Sequence, residues 1–207
     1  MTLSLLQLCQ ALAKNVGINV PTAVFAGTDR TSQELVQCAN ETGDEICRRV
    51  SWGDLRGNQN FTGDGTNAQF TLNSPFQRLS PGVAVMFNSG KKIIRQLTIG
   101  EFNVLPASVD VPRYFLLEGY SMQFWPYIPV GGVVSVKYQT ESWCDNGATN
   151  SAKFLADSDT PRVPDVAFLQ GMIVRWRRQK GMDYADYEAE YEATLAQYAD
   201  FNEGARL

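Results

Sequence analysis

The stretch GMIVRWRRQKGMDYADYEAEYEATL, residues 171–195, is the most informative part of the chain. Apolar residues recur at helical spacing as far as Trp176, and four cations lie within six residues at positions 175, 177, 178 and 180. After Gly181, tyrosines at helical spacing alternate with five acids between positions 183 and 192. Because only about two residues separate the two patterns, we predict two antiparallel helices joined by a tight turn.

The charges of this hairpin suit the ends of its helices. Cations stabilise the last turns of a helix, and Asp183 and Asp186 fall in the predicted first turn of the next helix. Two interpretations are open: a solvated hairpin whose charges serve its own helices, or a subunit interface, since arginine and tyrosine dominate protein contacts. Helix geometry predicts that the residues facing neighbouring subunits are Arg175, Arg178, Glu188 and Glu192.

The apolar and aromatic residues predict a helical bundle. One helix is expected from the spacing of Leu5, Leu8 and Leu12, with Thr2 or Ser4 as N-cap and Gly17 as its end. A second is expected after Asp29 or Thr31 and carries Leu35, Cys38, Ala39, Ile46 and Val50 on one side. The aromatic residues predicted to hold the bundle together are Trp52, Trp176, Tyr184, Tyr187 and Tyr191.

In the middle of the chain the spacing of apolar residues changes from helical to alternating. Short alternating runs bounded by turn residues predict strands at 68–72, 83–88, 93–97, 114–118, 121–127 and 133–140. The predicted fold class is therefore α+β, a bundle of about four helices with an inserted small antiparallel sheet or barrel. Residues 1–56 and 146–207 form the bundle and its C-terminal arm, and residues 57–145 form the β-rich insertion.

The composition of the chain excludes several classes of catalytic and metal-binding site. The chain has no histidine, which removes the usual catalytic triads and most zinc sites. The net charge of −4 argues against a protein whose affinity comes mainly from neutralising phosphates. The four cysteines show no CxxC spacing and are predicted to be reduced thiols. We expect neither a secretory signal nor a membrane-spanning helix, and no catalytic residue, metal or cofactor.

Two loops carry motif-like residues without the full motif. GDGTNA at residues 63–68 lacks the lysine of a phosphate-binding loop and is predicted to be a hairpin turn. Asp157 and Asp159 do not fit a calcium-binding EF-hand, because Arg162 stands where that loop requires glycine. We predict instead that this loop caps the helix that follows it.

The sequence is also compatible with two functions other than assembly, hydrolysis of glycans and binding of nucleic acid. Carboxylate pairs suited to glycoside hydrolysis are defined in space, so the 22 acids leave a carboxylate-dependent glycan hydrolase open as the alternative. Local positive charge at SGKK, residues 89–92, and at RWRRQK, residues 175–180, is compatible with a nucleic-acid-binding module. Lys91 and Lys92 are the candidates for contact with DNA.

Three segments together resemble the head-to-tail adaptor proteins of tailed bacteriophages. They are DRTSQELVQCANETGDEICRRVSWGDLRG near the front, VKYQTESWCDNG after the strand region, and DTPRVPDVAFLQGMIVRWRRQKGMDYADYEAEYEATLAQ near the back. The last is the most specific, with Gly171, Trp176, Arg177 and Gly181 followed by the tyrosines at 184–191.

The resemblance implies a structural virion protein of the neck, assembled in the host cytoplasm. It implies a ring of about twelve copies beneath the portal, a tail tube or nozzle protein below, and transient contact with DNA in the channel during genome ejection. No membrane partner and no catalysis are implied. The C-terminal segment is expected to dock on the portal, with contacts from Phe201, Arg206 and Leu207.

Overall fold

The computed structural model describes residues 2–73, 75–82, 84–88, 91–108 and 110–203, and only the backbone of residues 200–203. The chain divides into two compact units. One consists of Met1–Leu55 with Glu141–Leu207 and is mainly helical; the other, Arg56–Thr140, is mainly strands. The predicted α+β fold class is confirmed.

The described residues contain five helices. They are α1 (Leu5–Val16), α2 (Arg30–Arg49), α3 (Ile99–Asn103), α4 (Asp165–Gln179) and α5 (Ala185–Glu203). All but the short α3 belong to the helical unit. The predicted boundaries of α1 are confirmed: Ser4 caps its first turn, and Gly17 ends it in the left-handed conformation at φ 75°. Asp29, one of the two predicted caps, begins α2 by accepting from the Ser32 N–H.

The core of the helical unit lies where α1, α2 and α4 meet. Each helix contributes a stripe of fully buried apolar side chains, because residues three and four apart share a helix face. The largest buried side chains of this core include Leu8, Leu12, Leu35, Ile46, Trp143, Phe154, Phe168 and Trp176. All four cysteines are buried as thiols rather than disulfides, and burial raises the pKa of the Cys9 and Cys38 thiols to about 12.

The loop that contains Asp157 and Asp159 does not cap the helix that follows it. Backbone carbonyls of Asp159 and Asp157 accept from the first N–H groups of α1, from Leu5 at 2.8 Å and Leu6 at 3.2 Å. The Asp157 carboxylate binds the N–H groups of Val24 and Phe25. The loop therefore caps α1, whereas α4 begins at Pro164 without a side-chain cap.

The segment before α4 forms a small sheet that was not predicted. β10 (Cys144–Asp145) pairs with both β11 (Asn150–Ser151) and β12 (Thr160–Pro161). Asp159, which is 2% exposed, accepts from the N–H groups of Leu155 and Ala156 and so fixes the turn that leads into β12. Two-residue strands carry too little alternation to be read from a sequence.

The other unit contains two sheets around one apolar core. The sheet with order β1-β9-β4-β5, in which β3 also pairs with β9, is built from β1 (Arg56–Thr62), β3 (Phe76–Leu79), β4 (Val85–Phe87), β5 (Lys92–Ile93) and β9 (Val133–Thr140). The sheet with order β2-β8-β7-β6 is built from β2 (Gln69–Thr71), β6 (Arg95–Gln96), β7 (Tyr114–Glu118) and β8 (Ser121–Trp125). Phe87, Phe124, Val134 and Val136 lie buried in the core.

Several features of this unit differ from the predictions, which did not include β1, β3 or α3. The turn at residues 63–68 is not a hairpin, because β1 pairs with β9 whereas β2 pairs with β8. The Asp64 carboxylate shapes that turn by accepting from the N–H groups of Thr66 and Asn67. In addition, β6 runs parallel to β7, so the second sheet is mixed rather than purely antiparallel.

Candidate subunit-contact surface

Helices α4 and α5 pack against each other as an antiparallel hairpin. The turn at residues 180–184 contains Gly181 at φ 67°, a left-handed conformation that favours glycine. The Met182 N–H donates to the Arg177 carbonyl at 2.9 Å, and Arg177 also donates to the Asp183 carbonyl at 3.1 Å. Asp183 precedes α5, and the acids in the first turn of α5 are Asp186 and Glu188.

Ion pairs connect the hairpin to α2 in one continuous row. Arg175 donates to Glu41 at 2.9 Å and to Glu45 at 2.5 Å. Arg49 donates to Glu45 at 3.2 Å and to the Glu192 carboxylate at 2.8 Å. The row therefore runs from α4 across α2 to α5. It holds the side chains at fixed positions, because each arginine bridges two carboxylates.

The other cations of the hairpin are also used within the chain. Arg178 pairs with Glu188 on α5, and Lys180 pairs with Glu34 on α2 at 2.6 Å. The Arg177 guanidinium lies over the Tyr187 ring, 4.0 Å from its centroid, and donates to the Tyr187 hydroxyl at 3.1 Å. Two cations of the hairpin are therefore neutralised by acids of α2 and one by an acid of α5, as well as matching the helix end.

The four residues predicted to face neighbouring subunits surround one pocket. Arg175, Arg178, Glu188 and Glu192 line a pocket of about 170 Å³, together with Glu45, Arg49, Gly171, Val174 and Tyr191. Arg178 and Glu192 keep 56% and 47% of their side-chain surface exposed. Since each of the four has a partner within the chain, none depends on a neighbour for neutralisation, and the exposed parts stay accessible to one.

Hydrogen bonds from these partners shift two carboxyl groups. Arg49 lowers the pKa of Glu192 below its ordinary value, chiefly through the side-chain hydrogen bond. Lys180, and after it Arg30, lowers the pKa of Glu34 in the same way. Both acids therefore stay charged to a lower pH than an unpaired glutamate does. Isolated surface pairs contribute about 0.2–1 kcal/mol each, so the row stabilises chiefly by acting as a network.

The predicted bundle residues divide by burial. Trp52, Trp176 and Tyr191 are buried, at 3%, 2% and 3% exposure, whereas Tyr184 and Tyr187 are half-buried against the core. Trp52 packs on Tyr198 with ring centroids 5.4 Å apart and donates to the Ile46 carbonyl at 3.0 Å. The half-buried tyrosines serve as platforms for Arg177 and Arg178 rather than as core side chains.

The remaining predicted contact residues are only partly described. Lys91 and Lys92 are exposed, at the turn after β4 and in β5, but Ser89 and Gly90 of the same SGKK turn lie outside the described residues. The side chain of Phe201 and the whole of Arg206 and Leu207 also lie outside them.

The sequence reasoning missed the α2 half of the surface. Glu41, Glu45 and Arg49 provide the partners of Arg175 and Glu192, yet they were not identified as site residues. Their spacing of four places them on one helix face, and this is a recognisable signal for an ion-pair stripe. The partners of this stripe on the hairpin depend on how α2 packs on α4. No local sequence pattern encodes that packing.

Within the described residues, no three His, Cys, Asp or Glu side chains form a group that would hold a metal ion. No helix among the same residues has the length and apolar character needed to cross a membrane.

Comparison with known proteins identifies the chain. No curated protein matches it. The SU10 adaptor protein family matches over residues 3–207, which is nearly the whole sequence and includes both units. That match agrees with the three segments that resemble phage adaptors, and it gives no support to a glycan hydrolase. The chain belongs to the SU10 adaptor protein family and is a structural head-tail adaptor of the virion neck of a tailed bacteriophage.

Proposed function

We propose that copies of the chain form a ring that joins the portal to the tail tube or nozzle and continues the DNA channel. The observation that carries this proposal is the charged surface of α2, α4 and α5, which is prearranged by its own ion pairs and still exposes Arg178 and Glu192. A cyclic ring needs heterologous contacts, in which one face of a subunit meets a different face of the next. A rigid surface that displays both signs of charge suits such a contact, because it sets register and excludes wrong partners.

Arg175, Arg178, Glu188 and Glu192 are the residues we propose at the contact between subunits. Arg175 is the least exposed of these, at 29% of its side chain, and is connected to Glu192 through Glu45 and Arg49. An exposed apolar residue also favours contact on this unit: Phe25, 42% exposed, lines an open groove along α2 with Val36 and Asn40. The adjacent copy of the chain is the occupant that we propose for this groove.

The two units are proposed to serve different neighbours. The helical domain, residues 1–56 and 146–207, docks on the portal through its bundle and its C-terminal arm, including Phe201, Arg206 and Leu207. The β insertion, residues 57–145, faces the next ring or the tail. Lys91 and Lys92 meet DNA only transiently, because a net charge of −4 suits a channel through which DNA slides. About twelve copies, assembled in the host cytoplasm, complete the proposal, which includes no membrane partner, cofactor or catalysis.

Electron microscopy of the purified protein mixed with its portal tests the proposal. The expected result is an additional ring on the portal, with a copy number that can be counted from its symmetry. The protein alone and the portal alone are the controls. A chain that stays unassembled with the portal at micromolar concentration would contradict the proposed ring.

A further inference from the structure

Helices α4 and α5 carry buried polar atoms without a hydrogen-bond partner. Among the described residues, these atoms are Asp165 Oδ1, Gln170 Oε1, Arg175 Nε, Trp176 Nε1, Arg177 Nε and the Tyr191 hydroxyl. Native proteins pair the great majority of such groups, since an unpartnered buried group forfeits its hydration without compensation. Two of them, Arg175 Nε and the Tyr191 hydroxyl, belong to residues that line one pocket, which indicates that this pocket binds something polar.

Tyr191 identifies the position most clearly. The residue is 3% exposed, and its hydroxyl lies against Gly171, where an added Cβ would come within 3.1 Å of the oxygen. Both residues line the pocket of about 170 Å³ at the subunit-contact surface, and so does Arg175. Burial, and after it the charge of Glu45, raises the pKa of Tyr191 above its ordinary value. The hydroxyl is therefore protonated at neutral pH and available as a donor.

The charges around this pocket select the kind of molecule it accepts. Three arginines (49, 175 and 178) and three glutamates (45, 188 and 192) line it, so their formal charges cancel. Neither an anion nor a cation gains from entering, whereas a small neutral dipole can both donate and accept. At about 30 Å³ for each water molecule, the volume accommodates about five.

We propose that the base of this pocket, at the buried Tyr191 hydroxyl, is a hydration site in which ordered water bridges that hydroxyl and the Arg175 guanidinium. The bound water ties α5 to α4, and through Arg49 and Glu45 to α2. Buried water that makes two to four hydrogen bonds belongs to a fold as much as a side chain does. The proposal goes beyond assembly, because it applies to the single folded chain whether or not a ring forms.

Two measurements on the full-length protein test it. A crystal structure at about 1.5 Å resolution is expected to show ordered water within hydrogen-bonding distance of both Tyr191 Oη and Arg175 Nε. In thermal unfolding, Tyr191→Phe is expected to lower Tm by about 2–4 °C, because a satisfied hydroxyl is lost. If the hydroxyl were unsatisfied, its removal would relieve a desolvation cost and Tm would rise or stay unchanged.

Tyr187→Phe is the matched control, since the Tyr187 hydroxyl accepts directly from Arg177 at 3.1 Å. Its Tm shift gives the effect of losing one known hydrogen bond from the same helix. A fall of similar size for Tyr191→Phe, together with the water in the crystal structure, supports the hydration site. The proposal is overturned by an unchanged or raised Tm, by a pocket without ordered water, or by a direct bond from Tyr191 to Glu45.

Discussion

The Trp143 ring lies across Gly43 so closely that a Cβ added to the glycine would meet ring atom Cζ2 at 2.4 Å. The indole N–H donates to the neighbouring Asp44 carboxylate at 3.0 Å, and the ring packs edge-on against Phe154 at a centroid distance of 5.0 Å. Gly43 thus gives α2 a flat site against which the segment after β9 packs. A glycine inside a helix is otherwise unfavourable by about 1 kcal/mol relative to alanine.

Gly43→Ala is therefore expected to destabilise the protein even though alanine favours helix. The Cβ forces the buried Trp143 ring to move, and overpacking of this kind costs about 1–3 kcal/mol. Urea unfolding at pH 7 measures the difference. Gly100→Ala in α3 is the control, because an added Cβ there meets no atom within 4 Å. Equal or higher stability of Gly43→Ala would contradict the packing described here.

Arg178→Glu is expected to abolish ring formation on the portal while leaving the fold intact. It breaks the exposed pair with Glu188 and removes the guanidinium from the Tyr184 ring, so we expect a loss of stability of about 1 kcal/mol. Circular dichroism checks the fold, and electron microscopy counts the rings. Lys14→Glu, an exposed charge reversal on α1 outside the subunit-contact surface, is the control. The double variant Arg178→Glu, Glu188→Arg restores the pair within the chain, and recovery of rings in it would show that only that pair matters.

The contribution of Glu192 to stability is expected to disappear in acid. Its folded-state pKa is lowered, so the pair with Arg49 stabilises the chain fully above the unfolded-state value of 4.5 and is lost as pH falls through the folded-state value. Glu192→Gln should unfold at lower urea concentration than the unmodified chain at pH 6, and the gap should close towards pH 3. Glu118→Gln, the same change at an exposed position on β7, is the control for the substitution itself.

Asp157→Ala is expected to loosen the loop that precedes α2. The carboxylate accepts from the N–H groups of Val24 and Phe25 at 3.2 and 3.0 Å, and hydrogen bonds to a charged acceptor contribute about 1.5–3 kcal/mol. Hydrogen exchange should accelerate at those two amides and not within α4. Asp157→Asn retains one acceptor oxygen and should show a smaller acceleration; an effect equal to that of alanine would argue against the carboxylate as the anchor.

The four thiols are expected to resist modification in the folded protein. Burial raises the pKa of Cys144 to about 11, and those of Cys9 and Cys38 to about 12, so the reactive thiolate is scarce at pH 8. A thiol reagent should react negligibly before unfolding and with four equivalents in guanidinium chloride. Fast reaction of any thiol in the folded chain would contradict the burial described.

Long periodic segments were predictable from the sequence. The apolar stripe and both ends of α1, and the strands at Tyr114–Glu118 and Val133–Thr140, agree with the structure because their patterns extend over enough residues to exclude alternatives. β1 was missed because Arg56–Thr62 is almost wholly polar and becomes a strand through its pairing with β9 along seven residues. Its signal lies in the partner strand, far away in sequence.

The candidate surface was predictable on one side only. The hairpin charges were evident because they crowd into residues 175–192, but their partners on α2 are about 130–145 positions earlier. Likewise, the carbonyls that cap α1 come from Asp157 and Asp159, and the sequence prediction assigned that loop to the nearer helix. In both cases the stabilising group comes from a segment that only the tertiary fold brings close.

The dependence of α1 on Asp157 and Asp159 also affects the order in which the chain can fold during synthesis. When a ribosome has released only the first 140 residues, every residue of the β unit is present, but the helical unit lacks α4, α5 and the carbonyls that complete the start of α1. Helices α1 and α2 therefore cannot bury their apolar faces until the last third of the chain has emerged. We therefore expect chaperone binding and lower growth temperatures to increase the yield of folded protein.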